Sequence, residues 1–251
     1  MTAVLNVLKQ RFYRAFPSAH VGAFIRTIYL KRTLRTLTFS SAFDAGCAEG
    51  DFTVFLASRF PHARFTGMDL SPAAIAKAEA VARARQVGNV RFVAGDLRSI
   101  RDRDAYDLIY SLDSLEHIPG NGAVLERLVD ALRPGGSLFI MMPCEPMHRW
   151  VLPRRWFADY EAWAAREHIG DQYTLEELTA LLQKMGLRIV EAEYTFGVMG
   201  KLAWELHMLV EQRRVVCRLL LPLLFALGYL DTRWPFPKRH PYALRVLARK
   251  G

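Results

Sequence analysis

Two hydrophobic rhythms alternate through the middle of this chain. Short apolar runs suit strands, and stretches in which apolar residues recur every three or four positions suit helices with one buried face. The pattern predicts strands over 41–46, 64–69, 90–94, 106–111 and 137–142, and helices over 51–60, 72–87 and 122–132. Strands joined through helices run parallel, so the fold expected is α/β, a seven-stranded, mostly parallel sheet with helices on both faces. Boundary chemistry agrees. Asp51 and Ser71 stand where caps belong, Pro72 suits a first helical position, and Pro134-Gly135-Gly136 halts a helix before the strand from Ser137 to Met142.

The flanks read differently. Residues 3–37 carry a helical pattern, with Phe12, Phe16, Phe24, Ile28 and Leu34 among arginines and a break at Pro17. This predicts one or two helices placed to cover the mouth of a site. Residues 143–173 break the rhythm with Pro143, Pro146, Pro153 and the aromatics Trp150, Trp156, Phe157, Tyr160 and Trp163, and are expected to lie over a pocket. Thr174-Leu175-Glu176-Glu177 is a capping box for a helix ending near Gly186, followed by a strand from Leu187 to Tyr194; Tyr242 to Ala248 closes the sheet. Between those strands, Val215 to Leu230 is apolar except for Arg218. It contains Pro222 and falls short of the roughly 20 residues that span a bilayer. Two readings stand: helices lying on a membrane or lining an apolar tunnel, or helices packed on their own sheet or a second subunit. The expected organisation is an N-terminal helical segment (1–38), a core (39–195), an apolar helical insertion before the last strand (196–239) and that strand (240–251).

Composition adds little to the fold but something to the surroundings. With 51% hydrophobic and 24% charged residues the chain is globular. The net charge of +9 is concentrated at the ends: Arg11, Arg14, Arg26, Lys31, Arg32 and Arg35 in the first segment, Lys238, Arg239, Arg245, Arg249 and Lys250 in the last. That suits an anionic membrane surface, an acidic acyl carrier protein or a nucleic acid, or simply a solvated basic face. Three scattered cysteines, Cys47, Cys144 and Cys217, give neither a disulfide framework nor zinc spacing, and the first ten residues do not read as a signal peptide. The expected location is cytoplasmic, with peripheral attachment at the inner face of the membrane as its variant.

The chemistry begins at Asp44-Ala45-Gly46-Cys47-Ala48-Glu49-Gly50, a strand ending in a glycine-rich turn that opens a helix. Small residues alternate there, and acids stand where a phosphate would be repelled. This stretch resembles motif I of the class I S-adenosylmethionine-dependent methyltransferases, with Ala48 in the place of the middle glycine. The resemblance continues in order through Gly67-Met68-Asp69-Leu70-Ser71, Val93-Ala94-Gly95-Asp96-Leu97, Tyr106 to Ser111 and Ala131 to Gly136, over roughly residues 40–195. It implies a Rossmann-like core with S-adenosyl-L-methionine as cofactor. Main-chain amides around Gly46, Cys47, Ala48 and Gly50, with the acid Asp44, would hold the methionine part, and Asp69, beside Leu70, the ribose hydroxyls. Asp96 would accept from the adenine amino group, Leu97 would flank the ring, and Ser111 is a further implied cofactor-binding residue.

The acceptor is less defined. A hydroxyl acceptor must lose a proton, and Asp113-Ser114-Leu115-Glu116-His117 follows the fourth strand, where the sulfonium would lie. His117 is the candidate general base, with Glu116 and Asp113 beside it. Asp113, Glu116 and His117 also resemble the acid-acid-His metal pattern of some O-methyltransferases, with His168 as a further ligand; a structural histidine is the plain alternative, and no metal is assigned. All five tryptophans, Trp150, Trp156, Trp163, Trp204 and Trp234, follow the fifth strand, as core, interface or pocket wall. His148, Tyr160 and Tyr173 are candidate polar contacts. The combined expectation is O-methylation of a hydrophobic small molecule, lipid-like, aromatic or polyketide-type. A nucleic-acid substrate is disfavoured because Ser111-Leu112-Asp113-Ser114 stands where an aromatic would stack a base. A homodimer and a non-catalytic cofactor-binding scaffold remain alternatives.

Overall fold

The computed structural model describes residues 16–145, 150–233 and 241–251. Seven strands, β1 (Ser41–Ala45), β2 (Arg64–Asp69), β3 (Val90–Ala94), β4 (Tyr106–Leu112), β5 (Leu132–Pro143), β6 (Leu187–Thr195) and β7 (Ala243–Lys250), form one sheet in the order β3-β2-β1-β4-β5-β7-β6. The neighbours among β1 to β5 pair parallel, and β7 runs antiparallel between β5 and β6. The chain order reverses beside β1, which opens the crevice in which such sheets bind ligands.

Alternation along the strands feeds two cores. Ala42, Leu108, Tyr110, Phe139 and Met141 point to one face, under α1 (Val21–Leu34), α2 (Asp51–Arg59), α7 (Val198–Val210) and α8 (Arg214–Arg233). Phe43, Ile109, Leu138 and Ile140 point to the other, under α4 (Asn121–Ala131) and α6 (Leu175–Lys184). Helices α3 (Pro72–Ala84) and α5 (Ala158–Glu167) complete the set among the described residues.

Several boundaries move for local reasons. Asp51 is the first helical residue rather than the cap; Gly50 occupies the cap at φ +76°, where a side chain would be strained. Ser71 does cap α3, accepting from the Ala74 amide, with Pro72 in the first position. Helix α3 stops at Ala84 rather than at residue 87, and Gln86 turns at φ +55°. Strand β5 begins at Leu132, which pairs with Tyr106 before the register shifts at Leu108. The capping box at Thr174 and Glu177 is fully formed. The N-terminal segment contributes α1, with Pro17 ahead of it and the His20 ring as its cap; its expected start, Phe12 included, lies outside the described residues. So do Pro146, His148, Trp234, Lys238 and Arg239. The insertion before β7 is a helical pair, and α8 reaches 20 residues because it extends beyond the apolar run at both ends.

Candidate active site

Two cavities open at the carboxyl ends of the parallel strands. The smaller, about 350 Å³, is lined by Gly46, Ala48, Asp69, Leu70, Asp96 and Leu97, with Asp113, Ser114 and His117 opposite. Gly46 has φ +85°, and a Cβ there would lie 1.8 Å from Ser114 Oγ, so glycine is required both by the backbone and by the approach of the β4 loop. The turn's own amides are spent internally. Gly46 and Cys47 both donate to the Met68 carbonyl, at 2.9 and 3.0 Å, and Ala48 donates to Asp69 Oδ2 at 2.9 Å. Here they fix the turn's shape and pin Asp69, whose Oδ1 also accepts from the Ser71 amide. Each Asp69 oxygen keeps a lone pair for a vicinal diol.

Four expected cofactor residues stand behind this wall rather than in it. Asp44 is buried, accepts from Thr53 Oγ1 at 2.6 Å, and is pushed up to about 7 by burial. Cys47 is buried and its thiol is raised by the same cause. Gly50 sits against Ala78 and Phe92, and Ser111 Oγ donates to the Ala45 carbonyl at 3.0 Å. They brace the turn. Asp96 lies on the wall, with both carboxylate oxygens within 3.1 Å of Arg98 Nε; hydrogen bonds from Arg98 hold its carboxyl below the ordinary range.

The larger cavity, about 460 Å³, shares Asp113 and His117 with the smaller one. Asp113 adopts φ +48°, donates its amide to the Met141 carbonyl, and forms an ion pair with Arg26 of α1. Glu116 is 1% exposed; burial and then the Asp113 charge raise its carboxyl well above the usual range. Its carbonyl accepts from the Gly170 amide at 2.8 Å, which draws the loop after α5 against the site. His117 Nδ1 lies 2.8 Å from the Glu167 carbonyl. A carbonyl only accepts, so Nδ1 carries the hydrogen and Nε2 keeps the lone pair.

Glu116, His117 and His168 each bring one ligand atom within 4.8 Å of the others, a nitrogen and oxygen set suited to a divalent transition ion. Asp113, expected in that set, is committed to Arg26. The remaining walls are His20, Ala23 of α1, Phe52, Tyr160, Trp163, Trp204, Met208, Glu211 and Tyr242. The tryptophans divide. Trp150 stacks on Phe157 at 4.1 Å and lies parallel to Trp204 at 6.0 Å as packing, Trp163 stands at the cavity edge, and Trp156 is exposed. Tyr160 faces the cavity and its hydroxyl meets that of Tyr242 at 3.0 Å; Tyr173 instead donates to Asn121 Oδ1.

Sequence reasoning missed Arg26, His20, Phe52, Met208 and Tyr242 as cavity residues. Arg26 is one of four basic residues between 26 and 35, and no local pattern separates it from its neighbours. His20 Nδ1 accepts from the Gly22 amide, and its ring meets His207 edge-on at 4.6 Å. Burial, with the nearby charges of His207 and Arg26, lowers His20 to about 4.

Residues 42–136 match the family model described as a methyltransferase domain. They form a class I S-adenosylmethionine-dependent methyltransferase domain. Trans-aconitate 2-methyltransferase of Deinococcus radiodurans is 38% identical over 110 residues, 44% of this chain and 40% of that protein. The namesake from Methylobacterium radiotolerans is 35% identical over 145 residues, 57% of this chain and 52% of its own. The chain thus spans about half the length of the curated relatives it matches. Phosphoethanolamine N-methyltransferase 2 of Haemonchus contortus, solved with S-adenosyl-L-methionine, superposes with a TM-score of 0.64 at 20% identity, covering 88% of this chain and 51% of that one. Every residue lining the smaller cavity lies inside the methyltransferase domain, whereas the larger one also borrows from α1, α5, α7 and from Tyr242 just before β7.

Proposed function

We propose that this protein transfers a methyl group from S-adenosylmethionine to an oxygen of a small acceptor with an apolar or aromatic body. The observation that carries this reading is the shared wall: the cavity lined by Asp69 and Asp96 and the aromatic cavity meet at Asp113 and His117. A donor whose ribose rests on Asp69 and an acceptor held between Trp163, Tyr160 and Phe52 then meet where the two cavities join. Methyl transfer is an in-line displacement, so holding the two at near-attack distance supplies much of the acceleration. The hydroxyl proton passes to His117 Nε2, whose partner nitrogen is held by the Glu167 carbonyl. Arg26 holds Asp113 in place through their ion pair. The names of the curated relatives agree with a small-molecule acceptor.

The test has two arms. Calorimetry with S-adenosylhomocysteine should show one site per chain. Transfer of labelled methyl from S-adenosylmethionine into a lipid extract and a panel of apolar phenols and alcohols should show turnover, and His117→Ala should lower it by about 100-fold while changing S-adenosylhomocysteine affinity far less. Turnover unaffected by His117→Ala removes the base role; binding without turnover on any acceptor leaves a cofactor-binding scaffold.

A further inference from the structure

Helix α8 has two unlike sides. One is docked: Leu224 and Gly228 are buried, a Cβ at Gly228 would come within 3.0 Å of Ile25, Phe225 stacks on Phe24 at 4.3 Å, and Asp231 accepts from the Gly197 amide at 3.0 Å. The opposite side is an apolar stripe open to solvent, with Val215, Leu219, Leu223 and Leu230 exposed by 70, 76, 57 and 52%. Steps of four, four and seven residues keep these four on one helical face. Exposed arginines, Arg213, Arg214, Arg218 and Arg233, flank the stripe, and the sole acid between 213 and 233, Asp231, is buried. The helix is 20 residues long with a mean hydropathy of 1.7 over its most apolar window, enough by length and composition to cross a bilayer. Its docked side and terminal arginines oppose that, since a helix fixed along one face to the protein cannot be surrounded by hydrocarbon.

We propose that α8 is a peripheral membrane-docking helix that lies in the interface of an anionic bilayer, with Val215, Leu219, Leu223 and Leu230 in the acyl boundary and the arginines on lipid phosphates. An apolar face flanked by cations, with no exposed acid, has the chemistry of such helices. A second copy fits less well: a facing α8 offers no exposed acid to pair with these arginines, since its one acid, Asp231, is buried. The position is also informative. Helix α8 packs on α1 and α7, which carry Ala23, Arg26, Trp204 and Met208 into the larger cavity, so a docked molecule holds that cavity beside the lipid surface. Docking stands on the helix alone; that the methyl acceptor resides in the bilayer rests on the methyl-transfer reading.

The full chain is sedimented with vesicles of phosphatidylcholine alone and of phosphatidylcholine with about one third phosphatidylglycerol, at low and physiological salt. The expected result is partitioning onto the anionic vesicles that weakens with salt. Leu219→Glu with Leu223→Glu should lower it at least tenfold at either salt. Arg214→Glu with Arg218→Glu should lower it mainly at low salt. All four positions are exposed, and an unchanged circular dichroism spectrum and melting temperature confirm folding. No partitioning at low salt overturns the proposal, as does partitioning that the leucine pair does not alter. A concentration-dependent dimer that the leucine pair abolishes, without vesicle binding, assigns the stripe to a second copy and also overturns it. Calorimetry with S-adenosylhomocysteine on the same variants reports the methyltransferase reading separately, since no α8 residue lines the smaller cavity.

Discussion

The two cavities that meet at Asp113 and His117 are built by opposite means. The smaller is made of one continuous stretch, Gly46 to Pro119, largely from a turn and loops whose hydrogen bonds are closed among themselves: Gly46, Cys47 and Ala48 to Met68 and Asp69, and Asp96 to Arg98. The larger is made largely of side chains from α1, α5 and α7, with Tyr242 ahead of β7 and the residues that follow β4, held by aromatic packing and by the Arg26 to Asp113 ion pair. The contrast teaches a division of labour. On the methyl-transfer reading, the site for the fixed donor is written into backbone shape and the site for the acceptor into side chains carried by helices outside the sheet.

The contrast can be broken most severely at Gly46. Gly46→Ala adds a Cβ at φ +85° and 1.8 Å from Ser114 Oγ, so a loss of about 2–4 kcal/mol in stability and at least a tenfold loss of S-adenosylhomocysteine affinity are expected. Pairing it with Ser114→Gly should restore part of both, read by denaturant melts and calorimetry. On the acceptor side, Trp204→Ala removes a ring shared by Trp150, Tyr160 and Tyr242 and should cost about 3 kcal/mol, yet leave product affinity within about twofold. A large drop in that affinity would mean that the two cavities are not separately built.

Asp69→Ala is the reverse case. It should weaken product binding by roughly 30-fold, about 2 kcal/mol of charge-assisted hydrogen bonding, with the melting temperature nearly unmoved. The smallest effect is a pH effect at His20. An imidazole held at about 4 in the folded chain, against 6.5 ordinarily, takes its proton in the unfolded chain first. Its contribution is therefore full well above pH 6.5 and drains away as pH falls toward 4, the loss reaching about 1 kcal/mol at pH 6. His20→Asn keeps an oxygen for the Gly22 amide and should flatten that part of a stability–pH curve.

Legibility in the sequence follows the same division. The strand and helix pattern from 41 to 142 gave the parallel half of the sheet, and the ordered acids at 69 and 96 do stand on the smaller cavity's wall. Those signals are local: a period, a cap, a glycine at a turn. What escaped was set by tertiary placement. Asp44 looks like a ligand contact by its motif position, but burial and Thr53 turn it inward. Arg26 looks like any surface arginine on a basic helix, and only the arrival of Asp113 from more than eighty positions away makes it part of the site. The amides of the turn were legible as donors, but not their acceptor, the Met68 carbonyl on the next strand.

On the methyl-transfer reading, the guanidinium laid across Asp96 competes with the nucleobase that this carboxylate would hold. An exocyclic amine that meets a carboxylate oxygen there shares it with a cation already in place. Added electrolyte loosens that exposed internal pair but scarcely touches a neutral purine, so capture of the adenine moiety should grow stronger as ionic strength rises, the inverse of the trend for partners drawn in by charge.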